Sequence, residues 1–498
     1  MNRYNRQLIV AILIVALAWA LSVTQTGWDH SISDRHGYRQ TQTAITAYYM
    51  VRGGPFLKYE TPVLGAPWSI PFEFPLYQWI VSTASKHFDT PLNQTGRLIG
   101  LLFFYLAALM GWCWLAELEI APVFRLVFVT LMLVSPEYLF WSRTFMIEST
   151  ALFFGFTYLV SVCRYARTRS GWMVVIGTAC GALGALVKPT TLSGFMIVAA
   201  LLYAQAEKRG HHAARRYAMP IACFVLAPIL MGSVWTYWAD HVKSLNPIAS
   251  HLTSTELRVW NFGTFDQKFA KVTWGVLALR IIPDLVGHSA IPIVLIGALL
   301  MRRRFAQLLT CLVGFAAVFL IFTNLHVMHN YYTYANGIFL LAAFSLLVID
   351  LLEQRDWRAK VGLALFVVIV GACVTGYYRR DYPRQKNEMW RFDELVRNIR
   401  QVTREDELII VFGQDGSPEL PYYSERRGLV WFSSLPQTMD NPEMTQAVKN
   451  LSALKVGALV ICEDSRQNTH LIESAIAQFD LSRKAIFQDK WCRLYGGR

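Results

Sequence analysis

Long apolar runs recur along the chain, each near the length a helix needs to cross a bilayer, and short polar segments rich in Arg separate them. The first run, roughly 7 to 26, follows Arg3 and Arg6. It lacks a clear small-residue cleavage site, so an uncleaved first helix is expected rather than a signal peptide. Further helices are expected at roughly 97 to 116, 123 to 141 and 147 to 163. "VKPTT", 187 to 191, splits helices five and six, and helices seven, eight and nine follow at roughly 217 to 238, 286 to 301 and 306 to 323. Helix ten ends at "EQRDWRAK" and helix eleven, roughly 361 to 377, is the last. Lys and Arg collect in short cytoplasmic loops. With the N-terminus inside, "RYARTR", "EKRGHHAARR", "RRR" at 302 to 304 and "EQRDWRAK" all fall on that side. One missed helix would misplace every later cluster. The predicted fold class is a polytopic α-helical membrane protein of about eleven transmembrane helices, with its C-terminal domain outside.

The polar tail changes character. "DELIIVFG" (406 to 413) and "VGALVICED" (456 to 464) read as short buried strands. "NPEMTQAVKNLSAL" and "NTHLIESAIAQF" read as amphipathic helices, and "SRKAIFQDKWCRLY" is placed to close a small sheet. The expected division is therefore a membrane domain, 1 to 380, and a small α/β domain, 381 to 498. The first outer loop, 27 to 96, is too long for a simple connection. "YRQTQTAITAYYMV" and "FPLYQWIVSTASKHF" repeat apolar residues at helical spacing, which predicts two amphipathic helices lying at the bilayer surface. The Pro-rich segment between them cannot be one helix.

Composition agrees with this reading and narrows it. The chain of 498 residues is 54% hydrophobic and only 16% charged. Its net charge of +13 sits largely in the short loops, so the charge reports topology and no nucleic-acid partner is implied. No zinc-like spacing occurs among the eight Cys. Cys462 and Cys492 share the polar tail and could pair if it faces an oxidising space.

The candidate chemistry lies on the outer side of this map. Asp29, Asp34, Arg39 and Glu73 belong to the first loop. A carboxylate there can take a proton from a sugar hydroxyl, and an Arg beside it can hold a phosphate. The same charges also suit a loop meeting lipid headgroups. Arg143 and Glu148 flank the turn between helices three and four. Lys188 sits at the break in "VKPTT", and His329, Tyr331 and Tyr332 lie in "HNYY" at another outer helix end. Each has a structural reading as well: Lys188 can snorkel, His329 can be an interface residue and Glu148 can cap helix four. Their shared side is what the structural readings leave unexplained.

At these residues the chain resembles the GT-C superfamily of polytopic glycosyltransferases, in the branch holding protein O-mannosyltransferases and the aminoarabinose transferases of lipid A. Many bacterial relatives carry "HSWRQTDTA" followed by "EFPLY"; this chain has "HGYRQTQTA" at 36 to 44 and "EFPLY" at 73 to 77. The Arg143 to Glu148 stretch, Lys188-Pro189 and "HNYY" are similar in kind and order, so the resemblance spans most of 1 to 380. One departure matters: the relatives' Asp after "RQT" is Gln42 here.

The resemblance implies a bacterial inner-membrane enzyme that takes a sugar from a polyprenyl-phosphate donor. The acceptor would be an envelope lipid, glycan or protein. Transfer would occur with inversion at the anomeric carbon. Asp34 would act as base, with Asp29 in reserve and Glu73 close to the chemistry. Arg39, Lys188, His329 and Arg143 would meet the donor phosphate, and Glu148, Tyr331 and Tyr332 the sugar or acceptor. A divalent metal is compatible with the resemblance, although no ligand spacing demands one. Two other classes compete: a transporter or flippase of lipid-linked sugar, and a polymerase or ligase of preassembled glycan.

Overall fold

A helix satisfies its own backbone polar groups, as the interior of a bilayer requires, so each apolar run closes on itself. The computed structural model describes residues 3–207, 215–287, 295, 297–354, 356–387 and 390–497. In chain order the first helices are α1 (Arg3–Thr24), α2 (Gly37–Val51), α3 (Leu76–Phe88), α4 (Leu92–Glu117) and α5 (Pro122–Val134). They are followed by α6 (Pro136–Ser142), α7 (Glu148–Thr168), α8 (Gly171–Val187) and α9 (Pro189–Glu207).

Among the described residues, six helices are long and apolar enough to cross a membrane: Asn5–Thr24 within α1, α4, α9, Ala218–Lys243, Asn330–Glu353 and Trp357–Lys386. The pair α5 and α6, bent by 65°, makes a seventh if it is one span. Gly171–Val187 and Phe305–Ile321 are apolar but shorter. The helix expected at 286 to 301 and the basic segment at 207 to 216 lie largely outside the described residues. The chain is thus a polytopic α-helical membrane protein, with six or seven helices of membrane length among the described residues and a C-terminal mixed α/β domain.

Both sharp breaks come from proline. The residue before a proline is pushed out of the helical region, while proline itself suits a helix's first turn. Ser135 is accordingly extended before Pro136, and Lys188 is extended (φ −160°, ψ 89°) before Pro189. Each break turns a polar residue out of an apolar run.

The chain divides into two compact units. The first comprises Met1–Trp28, Arg97–Val234 and Arg258–Asn387. Its core centres on Asn330–Glu353, 89% of whose apolar stretch is buried, so this helix meets protein rather than lipid on nearly every side. The second comprises Asp29–Gly96, Trp235–Leu257 and Glu388–Arg498, which puts the first loop and the tail in one body.

The second unit is built on a five-stranded sheet of order β2-β1-β3-β5-β4. The strands are β1 (Leu408–Phe412), β2 (Gly428–Val430), β3 (Val456–Cys462), β4 (Phe487–Gln488) and β5 (Cys492–Gly496). Strand β1 runs parallel to β2 and β3, whereas β5 is antiparallel to β3 and β4. The two expected strands are β1 and β3, the expected helices are Pro442–Asn450 and Thr469–Gln478, and the last expected segment supplies β4 and β5. Strand β2 and the helices Asp393–Val402 and Glu419–Ser424 are additions. Cys462 and Cys492 stand opposite each other on β3 and β5 and are joined as a disulfide.

An exposed strand edge invites unwanted pairing. Here the edge of β2 is covered by the first loop: Gly428 N donates to Pro62 O at 2.9 Å, Val430 N to Val63 O at 2.7 Å and Gly65 N to Gly428 O at 3.0 Å. Helix α2 is likewise enclosed by protein rather than laid on one face. Its buried residues include Gln40, Thr41, Thr43 and Thr46 beside Ala44, Ile45 and Ala47. The Thr hydroxyls are tolerated there because they return to backbone carbonyls one turn back, as Thr41 does to Gly37 O at 2.7 Å.

Candidate functional site

The candidate residues fall into two groups, one in each unit. In the second unit, Asp34 lies just before α2, where His36 adopts a left-handed conformation (φ 50°) and turns the chain into the helix. The Asp34 carboxylate is half-buried. Its Oδ1 accepts from Gln40 Nε2 at 2.9 Å and from Arg35 N at 3.0 Å. Gln40, one turn into α2 and itself buried, therefore fixes the acid's orientation. Arg39 pairs with Glu73 at 3.0 Å and donates to Gln42 Oε1 at 2.6 Å. Glu73 accepts in addition from Gln78 Nε2 at 2.9 Å. Gln42 thus gives Arg39 a neutral amide oxygen beside the Glu73 carboxylate. Asp29 is exposed and accepts from Gln94 Nε2 at 2.6 Å.

One acid in this unit escaped the sequence reading. Glu419 reaches the start of α2: a Cβ on Gly37 would lie 2.8 Å from its Oε1. Burial holds the Glu419 carboxyl above the usual range, against the opposing pull of the Trp390 hydrogen bond and the Arg391 charge. Nothing in the pattern of the tail distinguishes it, because its helix, Glu419–Ser424, has only six residues.

In the first unit, the break between α8 and α9 presents Lys188, which pairs with Glu148 at the first turn of α7. Both are buried, Lys188 to 7% and Glu148 to 1% exposure, so neither is a snorkelling or surface charge. The ammonium lies 4.8 Å from the Tyr332 ring centre and 5.4 Å from that of Tyr331, a cation–π arrangement that locates it further. The other carboxylate oxygen of Glu148 is buried with no hydrogen-bond partner among the described residues. It is an open acceptor of the kind a sugar hydroxyl satisfies. The His329 ring stacks on Tyr331 at 5.4 Å and lies 5.9 Å from Trp260. Lys188, Glu148, Tyr331, Tyr332 and His329 thus form one cluster.

Arg143 is differently employed. Its Nε donates to Thr24 O at 3.1 Å, and its Nη2 donates to Thr26 O at 3.0 Å and Gly27 O at 3.2 Å. Arg97 donates to Trp28 O at 2.5 Å, and Gln385 to Thr26 O at 2.8 Å. A helix ends with carbonyls that lack intrahelical partners and carry partial negative charge. The two buried guanidiniums and the amide meet the carbonyls at and just past the end of α1, fixing where the first helix stops. Arg143→Ala is expected to destabilise the protein by ~1–3 kcal/mol, since it strands buried carbonyls. A lower midpoint of thermal unfolding in detergent would register the loss. Arg143→Lys should recover only part of it, because a single ammonium lacks the guanidinium's fork.

Among the described residues no group of three or more His, Cys, Asp or Glu side chains is arranged to hold a metal ion. No family model matches the chain, and no curated protein matches it. Solved structures do. The structure of ArnT from Cupriavidus metallidurans bound to undecaprenyl phosphate matches over 97% of this chain and 97% of that one, with 15% identity and a TM-score of 0.62. The archaeal oligosaccharyltransferase AglB from Archaeoglobus fulgidus, in complex with an inhibitory peptide and a dolichol-phosphate, matches over 93% and 70%, with 12% identity and a TM-score of 0.53. The arabinofuranosyltransferase AftD from Mycobacteria matches over 98% of this chain but 40% of its own length, with 13% identity and a TM-score of 0.51. The chain therefore shares its fold with these solved structures.

Proposed function

We propose that this protein is an inverting glycosyltransferase that moves a sugar from a polyprenyl-phosphate donor to an envelope lipid, glycan or protein at the outer face of a bacterial inner membrane. The observation that carries the reading is the end-to-end likeness to a structure holding undecaprenyl phosphate. A long isoprenoid keeps to the lipid, so its phosphate must be met at the membrane boundary. An acceptor hydroxyl attacks the anomeric carbon, and the phosphate leaves with the bonding electrons. Asp34, oriented by Gln40, takes the hydroxyl proton. Phosphate is a fair leaving group, so a strong general acid is less needed than stabilisation of its charge. Lys188, Arg39 and His329 supply that. Glu148, with its open oxygen, receives a sugar hydroxyl, and Tyr331 and Tyr332 wall the sugar. Arg143 acts indirectly by holding the end of α1. No step is assigned to a metal ion.

The test combines two measurements. Mass spectrometry of envelope lipids and glycans, with and without the protein, should show one sugar-sized mass difference. Purified protein with polyprenyl-phosphate sugar and the species so identified should then form product. Transport of lipid-linked sugar across vesicles without product would instead identify a transporter, and transfer of a preassembled glycan a ligase.

The proposed orientation has eleven spans, with the N-terminus inside and the C-terminal domain outside. Reporter fusions after Arg169, Arg209 and Arg304 are expected to read cytoplasmic, and one after Arg380 extracytoplasmic. A cytoplasmic signal at Arg380 would overturn both the span count and the outer placement of the site.

A further inference from the structure

In the sheet of the second unit β1 and β3 stay paired to their carboxyl ends, and it is the connections leaving them that diverge. From β1 the chain proceeds to β2 on one side, whereas β3 pairs on the other. In open α/β sheets such a reversal leaves a crevice outside the strand ends, and ligands bind there. The two strand ends touch closely here. Gly413, just past β1, has φ +79°, and a Cβ on it would lie 2.1 Å from the Cys462 carbonyl oxygen. The side chains that follow make up the rim.

These side chains form a mixed group. Gln414 is buried, and its Nε2 lies 3.4 Å from Glu463 Oε1. Glu463 also pairs with Arg391 at 3.3 Å. Arg391 sits 5.3 Å from the centre of the Trp491 ring, and the Lys490 ammonium 4.9 Å from it. Trp491 remains 38% exposed. The Cys462–Cys492 disulfide joins the residues immediately beside Glu463 and Trp491, and Glu463 N donates to Trp491 O at 2.9 Å. Acid and indole are therefore held in fixed relation. At the other end of the rim, Asp415 acts on Tyr38, four residues beyond Asp34. Crowding of the phenol, with the Asp415 charge second, pushes it up to about 12, although the residue as a whole keeps 37% of its surface exposed.

We propose that this edge is a carbohydrate-binding subsite, centred on Trp491 and Glu463, that holds the glycan part of the acceptor. The acceptor role rests on the glycosyl-transfer reading; carbohydrate binding itself does not. A sugar's C–H face packs on an exposed indole, and its hydroxyls suit a carboxylate, an amide and a guanidinium placed around it. The exposed rim carries Asp415, Glu463 and Asp464 against Arg391 and Lys490, a balance that suits a neutral polyhydroxyl better than a phosphate. A purely apolar ligand would strip water from these charges without pairing them. The rim also reaches the segment carrying Asp34: Trp390, beside Arg391, donates to Glu419 at 3.1 Å, and a Cβ on Gly37 would lie 2.8 Å from the Glu419 Oε1.

Saturation-transfer NMR on the full chain in nanodiscs tests this, with lipid-free oligosaccharide released from the host envelope by mild acid as the probe. Wild type should transfer saturation to sugar C–H protons. Trp491→Ala should bind roughly tenfold or more weakly, as expected for an aromatic anchor, and Trp491→Phe should retain most of the signal. Trp172→Ala, at an exposed tryptophan in the other unit, should bind as wild type does. An intact disulfide by non-reducing mass analysis establishes that Trp491→Ala has folded. Absence of signal from wild type, or equal signals from wild type and folded Trp491→Ala, overturns the subsite. Binding lost in Trp491→Ala while wild type transfers no sugar leaves the subsite standing and removes the transfer reading. Transfer by wild type with binding unchanged in Trp491→Ala does the reverse.

Discussion

Asp34→Asn is expected to fold, to bind a polyprenyl-phosphate sugar and to lose ~10²–10⁴ of its transfer rate, the usual cost of removing a general base. Folding should survive because Oδ1 of Asp34 accepts from Gln40 Nε2 and from Arg35 N, and an Asn oxygen can accept the same two hydrogen bonds. What disappears is the negative charge that receives a proton. Asp29→Asn is the first comparison. Its acid is exposed and tied only to Gln94 in the described geometry, so a small effect is expected. Glu73→Gln is the second. It weakens the hold on Arg39 and should lower the rate less than Asp34→Asn while changing donor affinity. If Asp29→Asn abolishes turnover and Asp34→Asn does not, the base is the upstream acid. Normal turnover in all three would remove the first loop from the chemistry.

The sequence made local features legible where one residue type dictates backbone geometry. Pro189 made the break at Lys188 readable, and alternation between apolar stretches and turn residues made β1 and β3 readable. Tertiary partners were hidden. Arg143 reads as an outer-face cation, and the sequence does not show that its guanidinium also meets carbonyls more than a hundred positions away. Helix α2 reads as amphipathic because periodicity counts Thr as polar, whereas Thr41, Thr43 and Thr46 are buried. Strand β2 has three residues, too few for a pattern, and gains its outer partner from Pro62–Gly65 in a distant loop. Glu419 and Trp491 lie on short elements whose importance rests on what they face. Against the eleven spans expected, six or seven helices reach membrane length among the described residues. Helices such as Gly171–Val187 are recognisable as apolar but fall short in length.

Lys188→Ala would be a simple probe of phosphate stabilisation if Lys188 stood alone at its break, but the pair with Glu148 changes that expectation. Removing the ammonium leaves a carboxylate at 1% exposure without its partner. Breaking a buried ion pair in this way costs about 3–5 kcal/mol, so the single variant should lose abundance as well as activity. The informative protein is Lys188→Met with Glu148→Gln. Replacing both charges with uncharged groups of similar volume is often neutral or stabilising for a buried pair. The Tyr331 and Tyr332 rings beside the ammonium can pack against a thioether instead. The double variant is expected at wild-type abundance but ~10²–10³ slower in transfer, the typical cost of losing one fixed donor to a developing charge. Glu148→Gln alone separates the partners, because it keeps the cation and an amide oxygen for the sugar. If that single variant is as slow as the double, the carboxylate rather than the ammonium carries the effect. Wild-type transfer by the well-expressed double variant would take Lys188 out of the site and leave Arg39 and His329 to meet the phosphate.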